Sequence, residues 1–247
     1  MITLQRDTAP AVPEQAAWAG AQILLLGVLG DAVGLGPLGW LAGTAYGFLT
    51  WALLSSAMQR SGCGSLGPAD RVTMARGVLV GGVTALVADR AGQDAPTTIL
   101  VAFAAVALVL DFVDGQVARR TGTASALGAR FDMEVDAFLI LVLSVHVAFA
   151  FGPWVLAIGT MRYLFVVASW ILPWLRADLP PSLARKAVAA LQGVVLVVAA
   201  SGVAPFAGIL VALALAALLW SFGHDVRWLW RSRAIAQTPV AEGCSSV

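Results

Sequence analysis

Five acids stand within one short reach of the chain: Asp111, Asp114, Asp132, Glu134 and Asp136. Acids so close together can hold a hard cation, move a proton or line an ion path. Their spacing narrows the choice. At about 100° per helical residue, Asp111, Asp114, Gly115 and Ala118 lie within about 100° of one another, and Arg119 flanks that face. Further on, Gly128, Asp132 and Asp136 follow in steps of four along a second stripe. Two helical stripes, each with two carboxylates, can face one another across a hairpin. Four uncompensated carboxylates would repel each other and be costly to desolvate. Mg²⁺, Mn²⁺ or Ca²⁺, which prefer oxygen ligands, resolve both difficulties. Glu134 points about 160–200° away from its aspartate neighbours and is not counted as a ligand.

The residues between the acids favour one kind of ligand. Gly115 and Ala118 strip side-chain bulk from the acid face, so a flat group such as a nucleobase can approach the helix. Arg119 offers a planar donor fork that suits phosphate. Metals, a basic fork and a bare helix surface together point to a nucleoside diphosphate. Other readings of the same residues stay open. The small residues could serve helix packing alone. The acids could pair only with Arg119, Arg120 and Arg130. The carboxylates could also line a divalent-cation transporter, which predicts acids spread through the membrane depth, whereas these gather at one face.

The elements that carry these acids must sit in a membrane. Of 247 residues, 60% are apolar and 12% charged, against about 25% charged in soluble domains. Runs of roughly 20 apolar residues, the length that crosses a bilayer, recur in series. Eight spans are expected, near 16–35, 38–56, 72–87, 97–117, 132–151, 154–174, 187–200 and 204–222. Gly and Pro cluster at their joints ("FGPW", "LPP", "SGVAP"), as turns require. The fold class is therefore all-α, a polytopic membrane helical bundle in a lipid bilayer. With a cytoplasmic N-terminus, Arg60, Arg71, Arg119, Arg120, Arg130, Arg176, Arg185, Lys186 and Arg227 all fall on the cytoplasmic side, as the positive-inside rule asks. The acid hairpin then joins two spans at that face. A net charge of +1 indicates no nucleic-acid partner, and Cys63 and Cys244 form no framework or metal cluster.

Asp111-x2-Asp114-Gly115-x2-Ala118-Arg119-x8-Gly128-x3-Asp132-x3-Asp136 resembles the signature of the CDP-alcohol phosphotransferases, with every signature position occupied. The resemblance covers residues 68–222 and implies a six-helix core there. It leaves two N-terminal transmembrane helices in 1–57, a juxtamembrane connector over 58–70 and a cytoplasmic tail over 223–247. A homodimer in the cell membrane, with its polar cavity facing the cytoplasm, is what the resemblance implies. So is the reaction: transfer of a substituted phosphoryl group from a CDP-linked donor to an alcohol hydroxyl, with release of CMP. CDP-diacylglycerol is the expected donor and the alcohol acceptor is left unassigned. A water-soluble CDP-alcohol donor with a lipid acceptor is the close alternative.

Carried over by residue, the resemblance makes Asp111, Asp114, Asp132 and Asp136 ligands of two Mg²⁺ or Mn²⁺ ions, with Asp136 also the general base. Thr73, Gly115, Ala118, Arg119 and Gly128 would contact the CDP moiety. "PADRVTMAR" resembles the family's Asn-x-x-Thr-x-x-Arg segment, which supplies Thr73, adds Arg76 as a further nucleotide contact, and has Asp70 where Asn is common. Arg130, Arg185 and Lys186 can form an acceptor pocket or serve as positive-inside anchors. "PPSLARKAVAALQ" is similar to a segment of inositol-phosphate transferases, keeping Ser182, Lys186 and Gln192 but with Ala189 in place of Thr. Arg162, inside an apolar span, needs an acid or a cavity to meet.

Overall fold

The computed structural model describes residues 11–61, 68–89, 97–121, 126–177 and 182–236. Cys63 and Cys244 lie outside these residues. Among the described residues the chain forms eight long helices and no strand. They are α1 (Ala11–Val33), α2 (Pro37–Ser61), α3 (Pro68–Asp89), α4 (Thr97–Thr121), α5 (Ala126–Phe151), α6 (Leu156–Ile171), α7 (Leu183–Ala200) and α8 (Ala207–Ala236). The all-α membrane bundle expected from the sequence is what the chain folds into.

Eight spans were expected; among the described residues six helices are long and apolar enough to cross a bilayer, namely α1, α3, α5, α6 with the turn before it (Pro153–Ile171), α7 and α8. In α4 the apolar stretch among the described residues is Thr98–Val113. In α2 the apolar residues are diluted by Gly, Thr, Ser and Tyr. At a rise of 1.5 Å per residue α8 is about 45 Å long, more than the roughly 30 Å of bilayer hydrocarbon. Its last turns, with Arg227 and Arg231, extend past the apolar zone.

Packing explains where the core lies. α3 is the hub, touching α1, α2, α4 and α5; α7 then bridges α4, α5 and α8. Val80, Val83, Leu86, Leu100, Leu139, Leu143 and Leu196 are sealed inside. The outward faces are apolar as well: Leu24, Leu41, Phe48, Leu164, Trp170 and Leu213 are exposed. Helices that are hydrophobic all round suit a lipid surround.

Besides packing on α3, two specific contacts tie the N-terminal pair to the rest. Gly34, at φ +70°, turns the chain between α1 and α2. Just beyond it, the Gly36 N–H donates to Asp89 Oδ1 at 2.8 Å, so the last residue of α3 caps the start of α2. Tyr46 of α2 stacks on Phe138 of α5 with ring centroids 5.0 Å apart. Sequence order suggested direct contact between α4 and α5. Among the described residues these two touch little, and α3 packs against both.

Candidate active site

The helix ends bring the acids to one depth. From the 1.5 Å rise, Asp111 lies about 15 Å from the end of α4, and Asp132 and Asp136 about 9 and 15 Å from the start of α5. Arg76 lies about 12 Å from the start of α3. Because α4 ends where α5 begins, all four residues share one end of the bundle.

Arg76 joins them. Its Nη1 donates to Asp111 Oδ1 and its Nη2 to Asp132 Oδ1, forming one ion pair with α4 and one with α5. Nη2 also donates to the Asp132 main-chain carbonyl at 2.9 Å. The Arg76 side chain is 1% exposed, whereas those of Asp111 and Asp132 are 41% and 35% exposed. The guanidinium is thus the sealed floor of the site and the carboxylates are its accessible rim. Asp136, one turn beyond Asp132 and half-buried, lies within electrostatic range of Asp111, Asp132 and Arg76. Thr73, one turn before Arg76 on α3, is buried.

The other expected contacts fall as follows. Gly115 on α4 and Gly128 on α5 are half-buried. The side chains of Asp114, Ala118 and Arg119 lie outside the described residues, although α4 carries their backbone. Arg130 and Lys186 are exposed. Arg185 faces Asp225 of α8 at 3.6 Å. Gln192 is buried and donates to the Ala214 carbonyl at 2.9 Å, tying α7 to α8.

Two arginines carry more than the sequence assigned them. Arg76 entered only as a further nucleotide contact, yet it is the residue that links α3, α4 and α5. The available signal was the cost of an arginine in an apolar span, which demands an acid. That same demand was recognised for Arg162, and the acid it meets is Glu134. Glu134 therefore faces α6, away from the aspartates, as its angular position implied.

Donor chemistry is compatible with divalent cations. Asp111 and Asp132 meet one buried guanidinium and Asp136 lies within its electrostatic range, so three carboxylates against one guanidinium leave a negative surplus, which suits hard ions. Arg76 already sets a positive charge between α4 and α5, the same electrostatic role that a bridging ion would fill. Among the described residues no three acids gather around a single point.

Comparison with protein families matches residues 68–220 to the CDP-alcohol phosphatidyltransferase model. No curated protein and no solved structure gives a significant match.

Proposed function

This chain belongs to the CDP-alcohol phosphatidyltransferase family, and from that premise we propose that it transfers a phosphatidyl group from CDP-diacylglycerol to an alcohol hydroxyl, releasing CMP. The observation that carries the reading is the joining of Asp111 and Asp132 by Arg76, with Asp136 one turn further along α5, within the family-matched residues. A lipid-linked donor suits a bundle whose outer faces are apolar.

In this reading the acceptor hydroxyl oxygen attacks the phosphorus that bears the diacylglycerol. A bond forms there, the bond from that phosphorus to the CMP oxygen breaks, and Asp136 takes the hydroxyl proton. A positioned base is needed because an alcohol is a poor nucleophile at neutral pH. Asp111, Asp114, Asp132 and Asp136 would hold two Mg²⁺ or Mn²⁺ ions, which when bound supply charge neutralisation for the diphosphate and the departing CMP. Thr73, Gly115, Ala118, Arg119 and Gly128 contact the CDP moiety. Arg76 holds Asp111 and Asp132 in register from α3. Arg130, Arg185 and Lys186 are the acceptor-side candidates, and the site faces the cytoplasm of a homodimer in the cell membrane.

Labelled CDP-diacylglycerol, offered to the purified protein with glycerol phosphate, inositol, inositol phosphate, serine or choline, tests this. One acceptor is expected to yield CMP and a labelled phospholipid in Mg²⁺ or Mn²⁺. Turnover only with a soluble CDP-alcohol and a lipid acceptor would reverse the donor assignment.

A further inference from the structure

Two of the four aspartates ride on α5, yet its acid end touches α4 little among the described residues. Its rotation is held from two flanks. On one, Arg76 of α3 binds the side chain and the main-chain carbonyl of Asp132. On the other, Arg162 of α6 donates from Nη2 to Glu134, and its Nη1 reaches Met133 Sδ at 2.9 Å. Met133 and Glu134 lie between Asp132 and Asp136 in the chain. Steps of about 100° turn Glu134 to the face opposite those acids.

The α5–α6 crossing sets the spacing but not the turn. A Cβ at Gly159 would stand 2.5 Å from Leu141 Cα and 3.0 Å from Ser144 Oγ, so the two helices nearly touch there. That contact lies about 10 Å along α5 from Glu134, too far to fix the acid end on its α6 side. An off-axis ion pair at Glu134 holds that side.

We infer that Arg162 and Glu134 are positioning residues, whose ion pair holds the start of α5 in the rotation that aims Asp132 and Asp136 into the site. This rests on the metal-dependent reading proposed above. Both Nη groups of Arg162 are spent on α5, which is what a brace does. Loss of a partner that orients ligands of this kind typically costs about 10–100-fold in metal affinity or activity.

The test is calorimetric titration of CDP in Mn²⁺ and in chelator, in detergent, for wild type, Glu134→Gln, Arg162→Gln and the exchanged pair Glu134→Arg/Arg162→Glu. Glu134 is 53% exposed, so Glu134→Gln keeps the fold intact, and melting temperatures check it. Each single variant should bind Mn²⁺–CDP at least about tenfold more weakly, and the exchanged pair should recover most of that loss. Singles that bind as tightly as wild type would overturn the inference while leaving the proposed function standing. So would an exchanged pair that melts like wild type but recovers nothing. Wild type without Mn²⁺-dependent CDP binding would overturn both.

Discussion

Replacing Arg76 with Ala would leave Asp111 and Asp132 without the guanidinium they share. Breaking a buried ion pair from one side costs about 3–5 kcal/mol, and the open rim of these acids puts the expected loss at the lower end. Arg76→Lys keeps the charge but not the fork, so its melting temperature should fall between wild type and Arg76→Ala. Asp136→Asn should still bind donor, because three other aspartates remain, yet lose turnover by at least about 10²–10⁴-fold. Asp111→Asn should weaken donor and metal binding together. Donor affinity and CMP release at matched Mn²⁺ separate the two; near-normal turnover by Asp136→Asn would move the base elsewhere. The aspartate stripes were legible because helical spacing is local. The reach of Arg76 was not, since its partners lie 35 and 56 residues away and only the fold brings them together.

At the scale of helices, hydropathy located the elements and missed some of their neighbours. Each expected span falls largely within a helix, but sequence order alone put α4 against α5, and α3 packs against both. The crossing at Gly159 was equally hidden, because nothing near Gly159 in the sequence names Leu141 as its neighbour. A Cβ there would press on main-chain Leu141 Cα, which no side-chain rotation relieves. Gly159→Ala should therefore destabilise the bundle by about 1–3 kcal/mol, as overpacking does, and lower CMP release by shifting α5. Asp89→Ala removes the cap on α2 and should cost about 1 kcal/mol, read as a lower melting temperature with CMP release retained. A melting temperature unchanged by Asp89→Ala would mean that the cap adds nothing to the packing of α1 and α2 on α3.

For the whole molecule, apolar residues exposed on the helices, and the basic residues after the apolar zone of α8, fit a multi-pass membrane protein. The proposed orientation, with the acid end toward the cytoplasm, can be read by labelling. With Cys63 and Cys244 replaced by Ser, Arg130→Cys should react with an impermeant maleimide only from the cytoplasmic side. Labelling from the opposite side alone would invert the topology. Composition made the membrane class legible, whereas basic residues such as Arg130, Arg185 and Lys186 carry no acceptor signature of their own, because positive-inside anchoring calls for the same residue types.

The central claim is that the acid cluster runs metal-dependent transfer from a CDP-linked donor rather than ion passage. Purified protein in liposomes, given CDP-diacylglycerol and the panel of alcohols, should release CMP in step with labelled phospholipid. Chelation should abolish both products, and added Mn²⁺ should restore them. Divalent-cation flux without any nucleotide, together with no CMP from either donor class, would contradict the account.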